Sequence, residues 1–378
     1  MSRIAPAALP RRAAPGRLAI GRLAFRRLAR NRGALAALFV LVAVALACLV
    51  GPFLTGHAPE RAYPDLRQLP PGFAAEPGPE RLGPALARLA FRMRARVEGY
   101  AVEDGRLRLT LAAERPIATR SLVYLPRSDL FGEPHVVERA PDGTRLVIAV
   151  PIRRLHFLLG TDVHGRDLLT RSLVAGRVSL LIGLVATAVA LLVGVAYGAV
   201  SGFLGGRTDA VMMRLVDILY ALPFVFFVMV LVVFFRASLA LILVAIGAVE
   251  WLDMARIVRA QTLALRRRDF VRAAEALGLS TLAILRRHIV PNTLGPITVA
   301  ATLLVPRVIL LESFLSFLGL GVQEPQTSWG VLIAEGARAI ESAPGMLAGP
   351  ACFLVATLMA LNILGDGLAD ALDPRGAA

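Results

Sequence analysis

Six long apolar stretches alternate with polar segments along the chain: 33–54, 180–203, 218–235, 237–251, 294–318 and 347–364. About 20 apolar residues cross ~30 Å of hydrocarbon at about 1.5 Å per residue, so each stretch predicts a transmembrane helix. The third and fourth are short and separated only by Arg236 and its neighbours. A tight helical hairpin and a single broken span both fit them. The polar segment 55–157 opens with Pro59, Pro64, Pro70, Pro71, Pro77, Pro79 and Pro84, which predicts irregular chain. Further on, Leu107, Leu109 and Leu111 alternate with Arg106, Arg108 and Thr110, and a second β-prone run extends from Leu146 to Val150. The pattern predicts an all-α membrane protein of six spans with a small, strand-containing extracytoplasmic insertion; a loose spacer is the alternative for the insertion.

Charge sets the orientation. Arg3, Arg11, Arg12, Arg17, Arg22, Arg26, Arg27, Arg30 and Arg32 precede or open the first span with no acidic residue among them, which places the N-terminus in the cytoplasm. The first apolar run is longer than a signal-peptide core, so it reads as an uncleaved anchor. Segment 252–290 carries Arg256, Arg259, Arg266, Arg267, Arg268, Arg272, Arg286 and Arg287, whereas Glu324, Glu335 and Glu341 oppose Arg338 after the fifth span. Both agree with six spans and a cytoplasmic C-terminus.

Composition then removes other classes. Hydrophobic residues make up 56% of 378 and the mean hydropathy is +0.66, values of a membrane protein. The net charge is +15, and all 42 basic residues are Arg. Without Lys no G-x-x-x-x-G-K-[ST] loop exists, so the chain hydrolyses no ATP through a P-loop of its own. The arginines flank apolar spans without any nucleic-acid-binding signature. Cys48 and Cys352 lie in apolar runs and read as buried hydrophobes, with no metal site implied. His57, His135, His156, His164 and His288 are scattered, and no nucleophile–base pair or H-E-x-x-H motif marks an enzyme.

Within the basic segment, Phe270, Ala274 and Leu277 recur at i, i+4 and i+7, predicting a short helix with one narrow apolar face. Gly278 suits a left-handed helix terminus, and Ser280 can cap a second short helix running to His288 and stopped by Pro291. Such an elbow fits a docking element; an ordinary surface helix is the alternative.

The run Ala273, Ala274, Gly278, His288, Pro291 and Asn292 resembles the E-A-A-x-x-x-G loop of ATP-binding-cassette importer permeases. Arg272 stands where that family often has Glu, and Glu275 follows three residues later. Three further stretches resemble the dipeptide/oligopeptide branch, in its second, C-type permease. They are L-G-T-D-V-H-G-R-D at 159–167, L-S-F-L-G-L-G at 315–321 followed by Trp329 and Gly330, and the closing G-D-G-L with L-D-P-R at 365–375. The resemblance covers 20–50 and 158–376 and implies the type-I importer fold. It divides the chain into a cytoplasmic tail 1–32, a first helix 33–54, the insertion 55–157, a permease domain 158–370 with a coupling loop at 252–291, and a tail 371–378. It further implies that Phe270, Arg272, Ala273, Ala274, Glu275, Leu277 and Gly278 couple the chain to two separate ATPase subunits that bind the ATP. A homologous second permease, an extracytoplasmic substrate-binding protein, a peptide substrate and surrounding lipid complete the implied partners. Nickel, opine and antibiotic-peptide importers share these motifs.

Read without the resemblance, Asp162 and Gly165 make a turn, Asp167 starts a helix, and Gly319 and Gly321 end one at the outer face, where Trp329 suits the interface. Too few oxygen ligands accompany Asp162 and Asp167 for a calcium loop. Arg307 and Glu312 lie in the fifth span, with Asp217 and Glu250 near the ends of others. A charge near the bilayer centre costs at least about 2.5–3.5 kcal/mol, so these residues line a translocation path or pair helices. A secondary transporter is the rival class, but no inverted repeat accompanies them.

Overall fold

The computed structural model describes residues 26–74, 79–103, 105–235 and 238–372. Arg3, Arg11, Arg12, Arg17, Arg22, Pro77, Arg236 and the closing Asp373, Pro374 and Arg375 lie outside the described residues. In chain order the elements are α1 (Arg32–Leu54), β1 (Phe73–Ala74), α2 (Pro79–Arg92), β2 (Arg96–Glu103), β3 (Arg106–Ala112), β4 (His135–Arg139), β5 (Arg145–Pro151) and β6 (His156–Phe157). They continue with α3 (Leu168–Leu204), α4 (Gly206–Tyr220), α5 (Phe224–Phe235), α6 (Leu239–Arg266), α7 (Asp269–Ala276), α8 (Thr281–Ile284), α9 (Val290–Phe317), α10 (Trp329–Arg338) and α11 (Gly345–Leu372).

Four helical runs are long and apolar enough to cross a membrane: α1, α3, the run Thr281–Phe317 and α11. A fifth arises if α4 and α5, bent by 76° at a short break, form one span. Pro223 stands in that break, where its missing N–H and fixed φ stop a continuous helix. The interruption therefore falls inside the third apolar stretch and its approach, not between the third and fourth. Helix α6, over the fourth apolar stretch, is 28 residues long, about 42 Å, but is not among the helices apolar enough to cross a membrane, so four or five of the six expected spans are found among the described residues. It does not end at residue 251 but continues to Arg266, and further helical elements follow, so most of the expected basic loop is helix. Four of its five charges are paired: Arg256 with Asp217, Arg259 with Asp209, and Glu250 and Asp253 with Arg307.

The tightest packing joins α3 to α6. Gly194, Gly198 and Gly202 share one face of α3, and a Cβ at Gly198 would lie 2.3 Å from the Ala255 carbonyl oxygen. The corresponding distances to the carbonyls of Trp251 and Arg259 are 2.8 Å at both Gly194 and Gly202. Small residues at this spacing let two membrane helices meet backbone to backbone, where dispersion rather than hydrophobicity holds them.

The insertion has its own core. Strands pair antiparallel in the order β2-β3-β5-β4. Leu107, Leu109 and Leu111 on β3 and Leu146, Ile148 and Val150 on β5 are all buried, as the alternation predicts. Against that face packs α2, through Leu82, Ala85, Leu86, Leu89 and Ala90. The expectation of irregular chain is wrong for this stretch: apolar residues at i, i+3, i+4, i+7 and i+8 outweigh Pro84 inside the helix. Two other expectations also fail. Trp329 is fully buried, its indole N–H donating to the Ser172 carbonyl at 2.9 Å, and Cys352 is exposed while Cys48 is buried.

Candidate functional site

Helix α6 turns at Arg267 and Arg268 into α7, and α7 closes with paired reverse hydrogen bonds. Leu279 N–H donates to the Ala274 carbonyl at 3.2 Å and Gly278 N–H to that of Glu275 at 2.9 Å, with Gly278 at φ +78°. This is a glycine-terminated helix end, which a Cβ would strain. Ser280 then caps α8, its Oγ accepting from Ala283 N–H. The chain does not stop at Pro291. A π-helical turn over Leu285–Ile289 widens the ladder, and Pro291 enters the first turn of α9, where its missing N–H is tolerated.

The buried face of α7 differs from the expected one. Val271 and Ala274 pack within the bundle core beside Val258, Ile284, Leu285 and Ile289. Phe270 is 42% exposed and Leu277 80%, and Arg272, Ala273, Glu275 and Gly278 are exposed too. Phe270 and Val271 offer helical stripes about 100° apart, and the β-branched residue is the one that fills the internal core. Ala274 therefore belongs to the chain's own packing, while Phe270 and Leu277, with Leu282 at 64% exposure, form an apolar patch facing outward.

From this elbow, α6 and α9 lead to a groove of about 1140 Å³ bounded also by the end of α11. Pro291, Asn292 and Leu372 line one end, and Asp253 and Arg307 line the other. Arg307 Nη1 donates to Asp253 Oδ2 at 2.6 Å, and its Nε stands 3.6 Å from Glu250 Oε2. Glu312, the other candidate in the fifth span, lies outside this groove. It is fully buried where α9 meets α3 and α10, accepting from Ser316 Oγ at 2.7 Å and Ser179 Oγ at 3.3 Å. The two intramembrane candidates thus separate into a groove residue and a packing residue.

Asp209 escaped the sequence reading. It accepts a bidentate pair from Arg259 at 2.5 and 2.6 Å and a bond from Ser201 Oγ at 2.5 Å, locking α3, α4 and α6 together. Its only local signal is an acidic residue in a helix's first turn.

At the far end of α3, Asp162 accepts from the backbone N–H groups of His164 and Arg166 at 2.8 Å each and from Arg166 Nε at 2.7 Å. Arg171 bridges Asp162 to Glu335 on α10, and Arg166 reaches Glu324. Burial opposes ionisation of Asp162, yet Arg171, the backbone N–H donors and Arg166 outweigh it and hold the carboxyl below the usual range. Asp167 caps α3 by accepting from Thr170 N–H at 2.8 Å. Gly165, at φ +84°, lies against the Tyr63 carbonyl, which a Cβ would approach to 2.1 Å. Among the described residues, no group of three or more His, Cys, Asp or Glu side chains could hold a metal.

A many-helix bundle with an exposed elbow between two groove-lining helices defines a membrane-embedded transport subunit, and the comparisons agree. Residues 194–377 match the family described as the inner membrane component of binding-protein-dependent transport systems. Residues 20–71 match the N-terminal TM domain of oligopeptide transport permease C. The chain is 50% identical over 290 residues to the oligopeptide transport system permease protein OppC of Escherichia coli K12, covering 75% of this chain and 95% of that one. Against OppC of Salmonella typhimurium it is 58% identical over 216 residues, covering 57% and 72%. The dipeptide transport system permease protein DppC of Bacillus subtilis is 46% identical over 217 residues, covering 57% and 68%. The chain belongs to this permease family, in its oligopeptide permease C branch. Neither family match includes 72–193, so most of the insertion and most of α3 lie outside both.

Proposed function

We propose that this chain is the C-type permease subunit of an importer that passes di- or oligopeptides across the inner membrane, powered by ATP hydrolysed on separate subunits. The exposed Phe270–Leu277 patch carries this reading. It is held rigidly by Val271 and Ala274 beneath it, and its two connections are α6 and α9, which border the groove. Two ATPase subunits closing on ATP press the elbow, and the push passes along these helices to the groove. A homologous second permease completes the path, and an extracytoplasmic receptor delivers peptide to the opposite face. In this arrangement both termini are cytoplasmic, Arg307 faces the path, and Glu312 fixes helix packing.

Cysteine labelling in intact cells tests the orientation. An impermeant maleimide should modify Arg106→Cys, at the exposed first position of β3, and leave Arg267→Cys, at the elbow, unmodified until the membrane is opened. The opposite pattern would invert the topology and remove the elbow from the ATPase side.

A further inference from the structure

Two helices join the elbow to the groove, and they are built differently. In its elbow half α6 is seamed to α3, with Leu252, Met254, Ala255, Val258 and Thr262 buried and its backbone against Gly194, Gly198 and Gly202. The Asp209–Arg259 pair locks the same stretch, and no glycine or proline interrupts α6 between Gly247 and its end at Arg266.

Helix α9 divides at its middle. Eight side chains from Leu304 to Ser316 are buried, and this half is clamped by two glycines of its neighbours. A Cβ at Gly183 of α3 would lie 2.7 Å from Ile309 Cγ1, and one at Gly330 of α10 would lie 2.4 Å from Ser313 Cα. In the half nearest the elbow, Val290–Leu303, only Thr293 and Ile297 are buried within this subunit.

The backbone of that elbow half is weakened as well. Pro296 has no N–H for the Asn292 carbonyl, and it follows Gly295, beside which a Cβ would meet nothing within 4 Å. Thr298 and Thr302 donate their hydroxyls back to the carbonyls of Leu294 and Thr298 at 2.7 and 2.9 Å, a pattern that bends helices. The π-helical turn Leu285–Ile289 precedes this stretch and Pro306 follows it, so both its ends are places where helices kink. The weak points face the groove, which Gly295, Pro296, Thr298 and Leu303 line.

With α6 fixed to α3, and Leu304–Ser316 fixed to α3 and α10, a push at the elbow is taken up between them. We propose that Val290–Leu303 is the yielding wall of the groove, bowing at Gly295 and Pro296 when the ATPase subunits press the elbow, while α6 stays in place. The proposal rests on the coupling described under the transport reading and assigns its moving part. A bend of about 20–40° in this stretch, which is about 21 Å long, displaces its middle by about 2–4 Å.

Stiffening α9 is the test. Gly295→Ala with Pro296→Ala supplies two better helix formers and returns the N–H that the Asn292 carbonyl lacks, so the assembled transporter should be at least as stable as the unaltered one. Receptor-dependent trialanine uptake in liposomes should nevertheless fall about fivefold or more, the scale on which changes along a coupling route act. Spin labels read the movement directly, in a Cys352→Ser background. Cysteines replace exposed Leu192 on α3 and, in turn, Leu294, Ile257 on α6 and Leu310 beyond Pro306. Between the nucleotide-free complex and one trapped with ATP and vanadate, the Leu192–Leu294 distance should change by about 2–4 Å. The other two distances should hold, and the stiffened variant should lose the change. Full uptake by the stiffened variant, a fixed Leu192–Leu294 distance, or an equal shift at Ile257 overturns the proposal. If the stiffened variant does not assemble, the distances in the unaltered helix decide alone. Absence of uptake by the unaltered transporter refutes the transport reading, whereas uptake with an unmoved Leu294 refutes the yielding wall alone.

Discussion

Phe270→Asp combined with Leu277→Asp should abolish receptor-stimulated ATP hydrolysis by the assembled transporter while the chain itself still folds and inserts. Both side chains are exposed, so neither change leaves a cavity or a buried charge within this subunit. Against a docked ATPase, each introduced carboxylate loses water without gaining a partner, at about 1–3 kcal/mol or more apiece. Two such penalties weaken docking by about thirtyfold or more, since about 1.4 kcal/mol is a factor of ten. Ala274→Asp makes the contrast. It places a carboxylate among Val258, Ile284 and Ile289, so its effect should appear as lost expression rather than uncoupled hydrolysis. Co-purification of the ATPases and stimulated turnover are the readouts. Normal values for the double variant would show that the elbow is only a surface helix.

The second large effect should come from Gly198→Leu. Its Cβ would stand 2.3 Å from the Ala255 carbonyl oxygen and 3.0 Å from the Arg259 backbone nitrogen. Both obstacles are backbone of α6, so no rotamer change relieves them, and α3 and α6 must separate. Overpacking of a tight contact costs about 1–3 kcal/mol when side chains can yield, and this case lacks even that relief. Gly202 and the Asp209–Arg259 pair lie along the same seam, so the opening should spread. Thermal unfolding in detergent should show a large fall in Tm, or no monodisperse protein at all. Gly295→Ala, in α9 with nothing within 4 Å of its Cβ position, should leave Tm within a degree or two or raise it. Equal behaviour of the two variants would contradict the packing account.

Several parts of this fold are readable along the chain because their causes are local. Alternating Leu107, Leu109 and Leu111 make a buried strand face, Asp167 caps α3, and Gly278 and Gly319 adopt the left-handed conformation that ends their helices. What was misread depends on competition between neighbours. In α2 the helical stripe prevails over Pro84, and in α7 two adjacent apolar residues compete for one buried slot, which Val271 takes over Phe270. Trp329 suits an interface by composition, yet a gap beside Gly176 and Ser172 draws it inside. Other features need partners distant in sequence. Nothing near Glu312 foretells Ser179, 133 residues earlier, and nothing near Asp209 foretells Arg259. The groove likewise forms only when α6, α9 and α11 converge, so Asp253 carries no sign of its place when read alone.

Reconstitution in liposomes tests the central claim most directly, with labelled peptide uptake measured under ATP alone and under an imposed ion gradient alone. The complete complex with its receptor should take up peptide with ATP and remain inert to the gradient, and this chain by itself should neither hydrolyse ATP nor transport. Gradient-driven uptake by the isolated chain, or ATP turnover without ATPase subunits, would contradict the account.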